Sequence, residues 1–276
     1  MIELEQAIEI FEKYGIKAVP DNNNRLVISH YCQPKGTTFT KLGINEDELI
    51  QHVAICEGRF DTAKSALTTF PLDAVSELRM AIDTKISEFP NLRAVGTFIV
   101  NNHLKKAPKL KTIGSAALDG SLIKSLPKLK EAGILTIQNS KLEELPALEK
   151  AGKLCIIDSP VSDLKKLEFA QDIFICSTDE NNKLPLIALN SLAETENLFV
   201  ANTDLKSLPK LKIAKKIALY NCEIKSFKGV KNAEVEIQNH ISDEELNDKF
   251  DTFTDWYNSS VLNNSMNLLG EFASTL

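Results

Sequence analysis

Apolar residues in this chain recur on a fixed spacing. Three segments align without gaps: "LPKLKEAGILTIQNSKLEE" from Leu126, "LPALEKAGKLCIIDSPVSD" from Leu145 and "LPKLKIAKKIALYNCEIKS" from Leu208. All three have the same length, nineteen residues. With the first residue numbered zero, apolar side chains fall at +3, +6, +9, +11, +16 and the next zero; from Leu126 these are Leu129, Ala132, Leu135, Ile137, Leu142 and Leu145. Segments starting at Ala107 and Leu189 follow the same spacing, those starting at Phe89 and Phe227 follow it one residue short, and weaker copies start at Phe70 and around Phe60 and Leu67. Self-similarity at such a period is the mark of a repeat architecture.

The positions +9 and +11 lie two apart, so they share one face of a short strand. Stacked coils make those strands neighbours in a parallel sheet about 4.8 Å apart, and nine or ten coils extend roughly 45 Å. A coil this short leaves little room for a return helix. Proline at +1 (Pro71, Pro90, Pro108, Pro127, Pro146, Pro209) favours an extended or turn-like return instead. A small hydroxyl or thiol stands at +14: Ser121, Ser140, Ser159, Thr178, Thr203 and Cys222.

The run +6, +9, +11, +14, +16 reads L-x-x-L-x-L-x-x-(S/T/C)-x-L, which resembles the leucine-rich-repeat signature, in the short nineteen-residue form of bacterial proteins. The resemblance covers roughly residues 51–241 and implies an α/β fold. That fold is a leucine-rich-repeat solenoid with a concave parallel β-sheet, a mostly extended convex side and α-helical caps at both ends. The family's asparagine at +14 is absent from most coils, so a ladder of hydroxyls is expected to bond the neighbouring backbone in its place.

Residues 1–50 read as an N-terminal α/β cap. A helix is expected over 3–13, with Ile2, Ala7, Ile8 and Phe11 on one side, then strands at "IKAV" and "RLVISHY" and a helix capped by Asn45. Residues 242–276 read as a C-terminal helical cap. It opens on a capping box from Ser242 to Glu245 and carries the stripe Leu246, Phe250, Phe253, Tyr257, followed by a second apolar stretch over 261–272. Between the caps the solenoid spans 51–241. One coil breaks step: the distance from Leu164 to Leu189 exceeds the repeat by six, with the excess near 179–188. Insertions in solenoids map to loops, often on a binding face.

Charge and composition then narrow the function. The formal net charge is -6, and arginine occurs only at Arg25, Arg59, Arg79 and Arg93. Arginine is the usual phosphate and base-edge contact, so nucleic acid is not an expected partner. No apolar run has the length of a membrane span, and "MIELEQAIEIFEKYG" lacks the basic start of a secretory leader. Five cysteines without close pairs suit a reducing, cytoplasmic compartment. Lysine, asparagine and isoleucine usage hints at an A·T-rich bacterial or phage genome. There is no phosphate loop, nucleophile elbow or zinc-protease motif. The histidines His30, His52, His103 and His240 are dispersed. No catalytic, cofactor-binding or metal-ligating residue is therefore expected, and the chain is expected not to be an enzyme.

What remains is a surface. In the resembled fold, +10 and +12 face the groove, opposite the core. The +12 position is polar at Asn101, Asp119 and Gln138, and the last full strand turns polar again at Glu236 and Gln238. Between these lie Cys155, Ile157, Phe174, Cys176, Phe199, Ala201, Ala218 and Tyr220. A contiguous apolar patch with a polar rim marks an interface. Three occupants compete for it: a protein partner, the chain's own 261–272 stretch, or a second copy in a homodimer. The leading expectation is a non-enzymatic protein-binding module.

Overall fold

The computed structural model describes the chain apart from residues 82–83, 101–102, 186–188, 225–229, 231–232, 240, 242–243, 247 and 250–276. Two α-helices with described bounds, α1 (Leu4–Lys13) and α2 (Glu46–Ile50), and a 3-10 helix (Thr40–Leu42) accompany twelve strands: β1 (Ala18–Pro20), β2 (Leu26–Ile28), β3 (Val53–Asp61), β4 (Ala74–Arg79), β5 (Ala94–Ile99), β6 (Thr112–Ala117), β7 (Glu131–Gln138), β8 (Lys150–Ile157), β9 (Phe169–Cys176), β10 (Asn197–Thr203), β11 (Lys216–Cys222) and β12 (Glu234–Gln238). All twelve form one sheet in chain order. β1 and β2 pair antiparallel, and every later pairing is parallel. The result is a parallel β-solenoid of about nine turns.

The register carries the repeat directly. Ile113 pairs with Ala132, Ala132 with Ala151 and Ala151 with Ala170, one repeat length at each step. Side chains at +9 and +11 in β7–β11, from Leu135 and Ile137 through Ile217 and Leu219, are at most 2% exposed. They form the main core together with the leucines at zero, +3 and +16. The Leu-Pro corners at Leu126, Leu145 and Leu208 are β-turns, as proline at the second turn position favours. The Leu129 amide donates to the Leu126 carbonyl at 3.2 Å, and Leu148 to Leu145 at 3.2 Å. The return path is extended: Ser125, Glu144 and Asp163 form successive parallel bridges on the back of the solenoid.

Two backbone columns support the stacking. At +13, near the C-terminal end of the strand, Gly120, Asn139, Asp158, Asn202 and Asn221 have φ of 61, 48, 46, 51 and 49°. Glycine, asparagine and aspartate tolerate this left-handed region best. At +7, Gly96, Gly114, Gly133 and Gly152 stand in four consecutive coils. A Cβ on Gly114 would lie 2.5 Å from the Gly96 carbonyl oxygen, and one on Gly152 would lie 2.5 Å from that of Gly133.

The hydroxyl ladder at +14 is present in part. Ser121 and Ser140 Oγ are 3.0 Å apart, the Ser140 amide donates to Ser159 Oγ at 3.0 Å, and Thr203 Oγ1 lies 3.5 Å from Cys222 Sγ. Thr178 departs from it. In the longer coil the extra chain begins directly after β9, and the preceding Ser177 takes the buried place while Thr178 is exposed. Thr178 instead donates to Asp158 Oδ1 from its amide at 2.8 Å and to Oδ2 from its hydroxyl at 2.7 Å. The inserted loop returns to the solenoid at Leu184, which bridges Thr203.

At the N-terminal end Ala7, Phe11 and Ile16 are fully buried against the first strands. Asn45 caps α2 by accepting from the Glu48 amide at 3.4 Å. The buried carboxylate of Glu46 gathers the Tyr31 hydroxyl, the Gln33 amide, Ser65 Oγ at 3.0 Å and the Ala66 amide at 3.3 Å. Arg25 ties this region to the next coil through Asp73 at 2.6 Å and the Val53 carbonyl at 3.1 Å. At the other end the core-side residues of β12, Val235 and Ile237, are 46% and 54% exposed. Phe250, Phe253, Tyr257, the 261–272 stretch, Ser242, His240 and Asn101 lie outside the described residues.

Candidate interaction surface

Strand alternation sends +10 and +12 to the face opposite the core. In β8–β11 these residues form a second apolar cluster, distinct from the main one. The register sets them in two rows. Cys155, Phe174, Phe199 and Ala218 are successive partners along one; Ile157, Cys176, Ala201 and Tyr220 are successive partners along the other. All eight candidate residues thus come together. Thr136 and Gln138 precede the rows and Glu236 and Gln238 follow them, so the patch ends in polar side chains on both sides. Phe174 and Phe199 stack at 4.5 Å with their planes 5° apart, and Phe199 meets Tyr220 at 5.4 Å, tilted by 39°.

The patch is covered. Cys155, Ile157, Phe174, Cys176, Ala201, Ala218 and Tyr220 are at most 4% exposed, and only Phe199 is partly open. Ile241 and Leu246, each 5% exposed, belong to the same cluster. The chain therefore turns back over its own sheet soon after β12, and residues 244–246 and 248–249 are helical. The cover expected from 261–272 lies outside the described residues. Among the described residues the cover begins earlier in the chain, with Ile241 and Leu246.

A polar row at +8 borders the patch. Lys153, Asp172, Asn197, Lys216 and Glu234 are successive partners across β8–β12. Asn197 Nδ2 donates to Asp172 Oδ1 at 2.6 Å, and Lys216 Nζ lies 3.3 Å from Glu234. Burial holds the Lys153 ammonium down at about 8, opposed by the nearby Asp172 charge. Burial also raises Asp172, against its hydrogen bond from Asn197 and the Lys153 charge. Between this row, Phe174, Phe199 and Lys249 opens a cavity of about 490 Å³. Apolar periodicity gives no sign of this row. Its signal is lysine and aspartate at one offset in adjacent coils.

The patch cysteines are poor nucleophiles. Burial pushes the Cys155 thiol up to about 12, and burial with the Cys155 and Asp158 charges pushes Cys176 up as well. The Tyr220 hydroxyl is raised by burial, by its hydrogen bond to Glu236, and by the charges of Glu236 and Glu245. Among the described residues no three His, Cys, Asp or Glu side chains are placed to hold a metal ion, and no helix is long and apolar enough to cross a membrane. Compared with known proteins, the chain matches no protein-family model, no curated protein and no solved structure.

Proposed function

We propose that this chain is a leucine-rich-repeat-type solenoid acting as a non-enzymatic protein-binding module, with the β8–β11 patch as its concave binding surface. The leucine-rich-repeat assignment draws on the repeat signature and on Asn202, whose Nδ2 donates to the Ser177 carbonyl of the preceding coil at 2.8 Å. This is the backbone bond expected of the family's asparagine, here supplied one residue earlier than the signature places it. Five free cysteines suit a cytoplasmic setting.

The observation that carries the binding reading is the second apolar cluster itself. An aromatic ladder of Phe174, Phe199 and Tyr220, rimmed by polar residues, already accepts two apolar side chains of this chain, Ile241 and, from a helical stretch, Leu246. A groove that takes an amphipathic helix on apolar anchors is a recurrent mode of peptide recognition. The test is affinity purification from the native host with wild type and Phe174→Asp/Phe199→Asp compared at equal folded concentration. The double variant is expected to lose the partner by at least tenfold; equal recovery on both would sink the proposal.

A second reading is self-association at the open end, favoured by the exposed Val235 and Ile237 on the terminal strand. A monomeric molar mass by light scattering at high concentration would remove it.

A further inference from the structure

Charge is unevenly placed along this chain. Residues 105–141 carry eight lysines against Asp119 and Glu131, a net +6 within a chain of net -6. The next stretch, 143–180, reverses this with nine carboxylates against four lysines. Lys105, Lys106, Lys124 and Lys141 are exposed and line a groove of about 750 Å³ on the return paths of three adjacent coils. Among the described residues Glu143 is its one acidic lining residue. No carboxylate of the described residues pairs with these four ammonium groups, whereas Lys130, Lys165, Lys215 and Lys216 each have one. Leu122 lies in the same groove and is 39% exposed. Its column, +15, holds Lys141, Pro160, Asp204 and Glu223 in other coils. An open leucine therefore stands among unpaired lysines, at an offset that elsewhere carries charge or proline.

We propose that this groove is a second docking site, for an acidic segment of a partner protein that carries one apolar side chain between its carboxylates. The four ammonium groups select the carboxylates by charge complementarity, and Leu122 selects the apolar side chain. The coil spacing sets the length. Three neighbouring coils at about 4.8 Å span about 10 Å, which an extended peptide crosses in about three residues. The recognised core is thus carboxylate, apolar, carboxylate. A nucleic acid fits less well. Lysine lacks the bidentate fork with which arginine holds phosphate, and a strand laid along the solenoid would carry its phosphates past Glu143 onto Glu144 and Asp163, which bridge in the next coils. A short peptide ends before it meets them. The groove and the β8–β11 patch share no residue, so either can fail without the other.

The probe is a fluorescein-labelled peptide, DEDLEDE, whose binding to the full chain is followed by anisotropy in low-salt buffer, where screening is weak. Wild type is expected to bind it, and to bind DEDSEDE, which keeps the charge and lacks the apolar side chain, at least fivefold more weakly. Lys124→Glu/Lys141→Glu is expected to weaken DEDLEDE at least tenfold. Both lysines are exposed, and an unchanged urea midpoint establishes that the variant is folded. Phe174→Asp/Phe199→Asp, folded by the same criterion, is expected to bind DEDLEDE as wild type does. No binding by wild type, equal binding of the two peptides, or undiminished binding by the lysine variant would overturn the proposal. Loss of DEDLEDE in the phenylalanine variant would do the same, because the peptide would then sit on the patch. So would a twelve-nucleotide oligothymidylate that binds as tightly as DEDLEDE, since the lysines would then form a general polyanion surface.

Discussion

At the scale of single residues, the least expected side chain is Lys153, which is buried beside the patch. Its ammonium is held at about 8, below the ordinary 10.5, mainly by desolvation. The sign follows from proton counting. Between these two values the unfolded chain binds more protons at this site than the folded one, so the site adds stability as pH rises through that window. Burial of Cys155 acts oppositely above pH 9, because its folded value is raised. Comparison with Lys153→Met isolates the lysine. Wild type is expected to gain on the order of 1 kcal/mol relative to this variant between pH 8 and 10.5, after a discount for screening by solvent at the edge of the sheet. Urea midpoints at several pH values read this difference. A constant difference across the window would mean that Lys153 is not desolvated.

At the scale of the element, two opposed effects meet in the glycine column. Glycine in a strand is ordinarily worse than alanine by about 0.5–1 kcal/mol. At Gly114, however, a Cβ would sit 2.5 Å from a backbone carbonyl oxygen, which cannot move as a side-chain tip can. Overpacking of this kind costs about 1–3 kcal/mol, so the steric effect wins. Gly114→Ala is expected to lower stability by about 1–2 kcal/mol in chemical denaturation; a neutral or stabilising result would show that adjacent coils part without cost. This column also marks what the sequence makes legible. Leu135, Leu154 and Ile173 announce the repeat because the same core demand selects the same apolar type in every coil. Gly114 and Gly152 contribute nothing to apolar periodicity, and their role appears only once the coils are seen to touch there. The ladder at Ser121, Ser140 and Ser159 is readable as a column of small hydroxyls. The asparagines at +13 are as regular, but their left-handed backbone is a turn requirement and not a burial pattern. The eight patch residues follow from the offset alone. Their cover does not, because the path of the chain after β12 is fixed by tertiary contacts of Ile241 and Leu246 that no local period encodes.

At the scale of the whole molecule, a solenoid's stability is approximately a sum of coil terms and nearest-neighbour interfaces. The seam between β9 and β10 differs from the rest: the register passes from Ile173 to Leu198, longer than the common step, and the serine ladder is interrupted there. The stacked pair Phe174 and Phe199 crosses this seam on the patch side. Phe199→Ala is expected to cost on the order of 2 kcal/mol and to uncouple the two parts, with amides of β10 and β11 exchanging hydrogen ahead of those of β5–β8. Uniform exchange in the variant would show that the core leucines alone hold the seam.

The same jump in register has a practical side. Gly120, Asn139, Asp158, Asn202 and Asn221 place a left-handed residue near the C-terminal end of their strands. Ser177 holds the equivalent place without a positive φ among the described residues, and it is this coil that is longer than its neighbours. The strands on either side keep their pairing regardless. The stretch around Glu180–Asn182 is thus a natural splice point, where a foreign peptide or an epitope tag can be grafted without rewriting the coils that flank it.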